Sequence, residues 1–225
     1  SAQQSMDLCV QGTTSACAAI VANGPLNLAS TTITQAISTA FNLASTVTDG
    51  FDMESSYRFT LDEWNVPGNF NLRLLATHVS SFKTTSGVLG TFPQQSAGAN
   101  GGNTPLWKML GVQTYAADRW SLSFTEQFIS DGVLNKQYIQ CTTACPLPTA
   151  NNPTVNNNYI PGAFYLGIGG TFDLNEKWQI FSKVDNVTNV NPPPIAATAA
   201  NSNAVNPSLY DTAGRMYRIG IRVNM

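Results

Sequence analysis

The chain has 225 residues, only 11% of them charged, and a formal net charge of −2; soluble domains average ~25% charged residues. Ser, Thr, Asn and Gln together supply 75 of the 225 positions, so the surface is polar without being ionic. With no run of either charge, a nucleic-acid partner is excluded, because phosphates need clustered Lys and Arg, and so is a polybasic lipid-binding patch.

No apolar stretch reaches the ~20 residues of a helical membrane span; the longest, Ala16 to Ala22, stops at Asn23-Gly24-Pro25. No basic segment followed by an apolar one opens the chain, and it starts at Ser1. The expectation is a processed form or a fragment. The cysteines fall in two close pairs, Cys9 with Cys17 and Cys141 with Cys145. Neither has the spacing of a zinc site, and there is one histidine in the chain. Two local disulfides in an oxidising compartment are expected, although four cysteines allow three connectivities.

Residues 1–40 read as an extracellular loop region, and 41–225 as strands and loops. Period-2 alternation marks two-faced strands. Phe51, Met53, Tyr57 and Phe59 alternate with Asp52, Glu54 and Arg58. Phe70, Leu72 and Leu74 alternate with Asn71 and Arg73, and Trp120, Leu122 and Phe124 with Ser121, Ser123 and Thr125. Phe164, Leu166, Ile168 and Phe172 oppose Tyr165, Gly167, Gly169 and Thr171. Trp178, Ile180 and Val184 oppose Gln179, Lys183 and Asp185; Tyr217, Ile219, Ile221 and Val223 oppose Arg218, Gly220 and Arg222. Seven strands are predicted, over about 41–61, 68–81, 105–116, 119–130, 159–173, 177–188 and 214–225; the third is apolar on both faces. Residues 25–34 are a candidate eighth.

Short connections alternate with long ones over about 82–104, 131–158 and 189–213. Phe59, Phe70, Tyr115, Trp120, Phe172 and Trp178 all stand at strand ends beside the short turns. Short turns at one end, long loops at the other and an interfacial row of aromatics form the pattern of an outer-membrane β-barrel. The fold class expected is therefore all-β: an antiparallel transmembrane β-barrel portion with short periplasmic turns and long extracellular loops. A soluble sandwich alternates too, but its hairpin loops are typically 2–5 residues.

The last segment, Tyr210-Asp211-Thr212-Ala213-Gly214-Arg215-Met216-Tyr217-Arg218-Ile219-Gly220-Ile221-Arg222, resembles the C-terminus of TonB-dependent outer-membrane receptors. In that family a Tyr-Asp-x-x-Gly-Arg-x-Tyr-x-x-Gly-x-Arg pattern leads into the final strand. Gly50-Phe51-Asp52-Met53-Glu54 is similar to the family's Gly-x-Glu/Asp-hydrophobic-Glu strand, and Asp185-Asn186-Val187 to the Asp-Asn-Leu closing its penultimate strand. The resemblance implies that Arg218, Gly220, Val223 and Met225 are the assembly signal read by the barrel insertion machinery, with Met225 standing where the family usually has Phe. It implies a 22-stranded barrel filled by an N-terminal plug, to which this chain contributes about seven C-terminal strands. The implied partners are outer-membrane lipid, the plug and remaining strands, the TonB system acting through the plug, and a small-molecule or oligosaccharide ligand. The implied location is the outer membrane of a Gram-negative bacterium.

On this reading Asp52, Glu54, Arg58, Arg73, Lys183, Asp185, Arg218 and Arg222 face the lumen, where they pair with the plug or with neighbouring strands, or attract an anionic ligand. Tyr138, Tyr159, Tyr210, Phe82 and Phe92 are expected as exposed loop aromatics, available to a ligand or packing the loops together. The histidine, His78, falls on the lipid face, away from any lumen substrate, so no catalytic base is placed; neither an enzyme nor a cofactor is expected. The function expected is active uptake of a siderophore, vitamin or oligosaccharide. The other readings are a self-contained small barrel with a structural or adhesive role and a secreted carbohydrate-binding β-sandwich.

Overall fold

The structure, a computed structural model, describes residues 2–12, 14–23, 33–36, 45–85, 92–149, 152–195 and 204–223. It divides into two compact units, one of residues 1–47 with 83–94 and the other of 48–82 with 95–225. In the first, helices α1 (Ala2–Val10) and α2 (Thr14–Ala18) are joined by a disulfide between Cys9 and Cys17. Helices were not expected from the sequence, but Ala2, Gln3, Gln4, Met6 and Leu8 are good helix formers. Leu8, Ala16 and Ala19 are buried. Ile20–Ala22 pairs antiparallel with Ile33–Ala36. Of the candidate eighth strand only Ile33 and Thr34 lie among the described residues, and they belong to this small pairing.

The second unit is built on seven strands: β1 (Ser45–Thr60, from Thr48 onward), β2 (Asn69–Thr85, up to Phe82), β3 (Trp107–Ala116), β4 (Trp120–Ile129), β5 (Ala163–Asp173), β6 (Trp178–Asp185) and β7 (Met216–Val223). Their spatial order is their chain order, an up-and-down meander, with antiparallel ladders from β2 through to β7. The predicted strands all appear, with shifted ends. β6 stops at Asp185 because Asn186 (φ 50) and Asn189 (φ 53) leave the extended region, a left-handed excursion that Asn tolerates. β2 runs beyond residue 81; at Phe82 its N–H donates to Gln95 Oε1 at 2.8 Å and its carbonyl accepts from Ser96 N. Residues 41–44, at the start of the first predicted strand, lie outside the described residues.

Register fixes the two faces. Phe70 stands opposite Tyr115, Leu72 opposite Gln113 and His78 opposite Trp107. Phe172 stands opposite Trp120, Ile168 opposite Phe124, and Ile221 opposite Ile180. One face is therefore mostly apolar across the whole sheet although it is exposed: Ile219 is 82% and Tyr217 71% accessible. The other face carries most of the charges. No helix among the described residues is long and apolar enough to cross a membrane, which says nothing of strands.

Buried apolar packing is concentrated at the long-loop end. Ile129, Ile160, Ala163, Tyr165, Ile195, Leu209 and Tyr210 form one cluster. The ends of β4 and β5 meet the loops there. Among the described residues, the charged face along the rest of the strands has no such core.

Candidate functional site

Two rows of aromatic rings border the apolar face. Beside the short turns, Phe59 and Phe70 lie 5.5 Å apart and Tyr115 and Trp120 5.0 Å apart, while the Arg119 guanidinium stands 5.7 Å over Phe172. Tyr115 donates its hydroxyl to Pro67 O, tying ring to turn. Toward the long loops, Phe51, His78 and Trp107 form a triangle with centroid distances of 5.3, 5.6 and 4.4 Å. His78 Nδ1 lies 3.0 Å from Leu106 O. Along β2, Phe70 to His78 covers roughly 27 Å at ~3.4 Å per residue. At a barrel-strand tilt of ~40° that is about 20 Å of depth, close to the ~25 Å apolar band of outer-membrane barrels.

The opposite face is a wall of cross-strand polar pairs. Arg73 donates to Glu54 at 2.8 Å, and Thr77 to Asp52 at 2.6 Å. Asp185 is held between Lys183 at 2.9 Å and Arg218, and Arg222 donates to Gln179 at 2.8 Å. Of the predicted inner-face charges, only Arg58 has no hydrogen-bond partner among the described residues. Gly220 lies on this face opposite Phe181. A Cβ there would stand 2.4 Å from the Phe181 ring, so the aromatic lies across the glycine, as in the aromatic covering of strand glycines. Val223 ends β7 on the apolar face, paired with Trp178; Met225 lies outside the described residues.

Two of the three segments that carry the family resemblance, Asp185–Val187 with the residues after it and the one from Tyr210, meet in space. Asn186 donates Nδ2 to Asp211 Oδ2 at 3.1 Å, and Arg215 N donates to Asn189 Oδ1 at 3.1 Å. Gly214, at φ +73, makes the turn that brings this segment into β7. Asp211 N donates to the Tyr165 hydroxyl. Tyr210, expected as an exposed loop aromatic, is 3% accessible and part of the cluster. Burial pushes its phenol above the ordinary value, and a hydrogen bond from Asn100 opposes that shift. Phe82, expected in a loop, lies in β2. Tyr159 and Phe92 are exposed as expected, and Tyr138 is half-buried.

Around Tyr210 lies an amide network that sequence reasoning missed. Asn100, fully buried, donates Nδ2 to Ser130 O and to the Tyr210 hydroxyl, each at 2.8 Å. Asn206 donates Nδ2 to Asn100 O and Asn103 Oδ1, both at 2.8 Å. Ser130 Oγ accepts from Trp107 N at 3.1 Å. Three long connections are thus clamped to one another and to the start of β3. Beyond them, Asn158 braces its own loop through Asn135 and Gln140. Next to it a cavity of about 320 Å³ opens, with Asn156, Asn157 and Tyr159 on an apolar floor of Ile160, Pro194 and Ile195. No carboxylate or cation lines it. The disulfide Cys141–Cys145 closes the tip of the same loop. At the short-turn end, an open groove of about 900 Å³ lies among Asp118, Arg119, Asp173, Glu176, Lys177 and Trp178.

No protein-family model matches the chain, and no curated protein matches it. Among solved structures, the crystal structure of a point mutant of the ferric enterobactin receptor from Pseudomonas aeruginosa is similar, at 15% sequence identity and a TM-score of 0.38. The similarity covers 69% of this chain and 22% of the receptor chain. This chain therefore matches less than a quarter of that protein's length.

Proposed function

We propose that these residues form the C-terminal part of the barrel wall of a TonB-dependent outer-membrane receptor, which takes up a scarce ligand. The observation that carries the reading is the two-faced meander: an exposed apolar face bordered by two aromatic rows, backed by a face of paired charges. Water disfavours such a face, whereas hydrocarbon flanked by two interfaces suits it. Among the described residues, the strand order ends on β1 and β7. Hydrocarbon does not tolerate open sheet edges, so the reading requires further strands to continue the sheet. The resemblance of the segment from Tyr210 to Arg222 supports the choice of receptor family.

In this account the paired charges line the lumen, the turn-end groove faces the periplasm, and the clamped loops present the ligand-contacting surface outside. Rigid loops lower the ordering cost of capture. The ligand is a siderophore, vitamin or oligosaccharide. No residue here is assigned covalent chemistry.

The test is growth on candidate ligands as the limiting source of iron, cobalamin or carbon. Deleting the gene and deleting TonB are expected to abolish the same growth. Growth that requires the gene but is indifferent to TonB contradicts the proposal.

A further inference from the structure

The cavity beside Asn158 has a chemistry that narrows what can enter it. Its volume of about 320 Å³ stands at the small end of the ~300–1,000 Å³ of ligand pockets. That is room for one ring of a larger molecule. Ile160 and Ile195, 2% and 8% accessible, belong to the buried cluster and make a firm apolar floor with Pro194. Tyr159 stands at the edge, 53% accessible. Its ring meets no other ring, and its hydroxyl no partner, among the described residues.

The polar groups are held ready. Asn158 is engaged in the frame: its Nδ2 donates to Asn135 O at 2.9 Å and its Oδ1 accepts from Asn135 N at 3.1 Å. Asn157 Oδ1 accepts from Tyr159 N at 2.9 Å, which fixes that amide and leaves its Nδ2 as a donor. The exposed Asn156 amide has no partner among the described residues, so it presents both donors and an acceptor. The ladder that sets Tyr159 opposite Val133 and Ile160 opposite Gly132 holds the segment in place.

Charge is missing from this wall. The two long connections that bound the cavity, over about 131–158 and 189–213, carry three charged residues, Asp131, Lys136 and Asp211, and none of them lines it. Asp211 accepts from Asn186, and Lys136 Nζ lies over Gly98, 3.1 Å from where a Cβ would stand. An anionic group that left water here would meet no cation, and an unpaired charge out of water is costly. A neutral sugar ring suits the site instead. Each hydroxyl both donates and accepts, as an amide does, and the C–H face of the ring has the Tyr159 ring and the apolar floor to lie against.

We infer that this cavity is a subsite for one ring of a neutral oligosaccharide. Tyr159 stacks on the ring, and the Asn156 and Asn157 amides hydrogen-bond its hydroxyls. Its role in uptake rests on the receptor reading above, within which it selects the oligosaccharide among the three ligand classes.

The test uses the whole receptor, purified from outer membranes in detergent. It is applied to an array of neutral plant and microbial oligosaccharides, with ferric citrate and a ferric catecholate titrated as anionic probes. The expected result is binding of a neutral oligosaccharide, constant within about twofold up to ~0.5 M salt, where attraction between exposed charges is screened. Tyr159→Ala should weaken it about tenfold or more, and Tyr159→Phe, which keeps the ring, by less than about threefold. Asn156→Ala should weaken it about fivefold. Lys177→Ala, at the short-turn end, should leave it unchanged. Heat-modifiable migration of each variant reports folding. Binding of no neutral oligosaccharide, binding of the anionic probes alone, or sugar binding indifferent to Tyr159→Ala overturns the subsite; the receptor reading then stands or falls on the TonB dependence of growth. Sugar binding that needs Tyr159, in a protein whose growth phenotype is indifferent to TonB, upholds the subsite and overturns the receptor reading.

Discussion

Asn206→Ala is the sharpest probe of the loop clamp. Asn206 is 4% accessible, and its Nδ2 serves two acceptors, Asn100 O and Asn103 Oδ1, each at 2.8 Å. Losing two internal hydrogen bonds costs about 1 kcal/mol each. Stranding the Asn100 carbonyl, on a fully buried residue, adds at least another 1 kcal/mol. The total of about 3 kcal/mol is roughly a hundredfold in an opening equilibrium. It should fall on the loops alone, because the strands of the sheet are held by their own ladders and local opening is a separate event. Amide hydrogen exchange on the protein in detergent micelles reads it. The expected result is about a hundredfold faster exchange over residues 96–104 and 204–210, with unchanged protection in β3, β4 and β5. Loop exchange within about threefold of the parent refutes the clamp. Loss of protection across the sheet shows instead that the loops and strands are one cooperative unit.

Other consequences are open to measurement. Tyr210→Phe removes the acceptor of the Asn100 amide at full burial and should cost about 1–3 kcal/mol of loop stability. Because burial raises the Tyr210 phenol, its contribution is complete below the ordinary tyrosine value near 10 and is lost as pH rises through the higher folded value. Loop exchange should therefore accelerate above about pH 10 beyond its intrinsic rate in the parent, and that added acceleration should be absent in Tyr210→Phe. Gly220→Val drives side-chain atoms into the Phe181 ring and should cost about 1–3 kcal/mol in refolding titrations. Adding Phe181→Ala should recover part of it; equal loss with and without Phe181 would assign the cost to something other than the ring. Glu54→Gln breaks a pair exposed by more than half on both sides and should cost under about 0.5 kcal/mol, whereas Asp185→Asn releases Lys183 and Arg218 together and should cost about 1 kcal/mol. A larger loss for Glu54→Gln reverses that ranking.

The strands were legible because alternation is local: Phe70 to Leu74 and Tyr217 to Val223 announce both the strand and its faces. Their order followed from short turns such as Ala117-Asp118. The strand ends were less so, since Asn186 closes β6 by its backbone conformation, which leaves no mark on the hydropathy pattern. The inner charges were placed by parity, but their partners depend on the ladder that sets Lys183 opposite Arg218. The amide clamp had no sequence signal: Asn100, Asn206 and Tyr210 lie more than a hundred residues apart from first to last and sit in aperiodic loops. Helix α1 leaves little mark in the sequence: Ala2–Val10 is short, with no acidic residue in its first turn and no basic residue in its last.

Whether these strands belong to a large plugged barrel is read from the location and size of the native gene product, detected in fractionated membranes with an antibody to residues 214–225. The expected result is a heat-modifiable outer-membrane band several-fold above 24.1 kDa, carrying the plug and the remaining strands. A band near 24.1 kDa in the outer membrane contradicts it in favour of a small barrel, and a soluble product contradicts the membrane reading altogether.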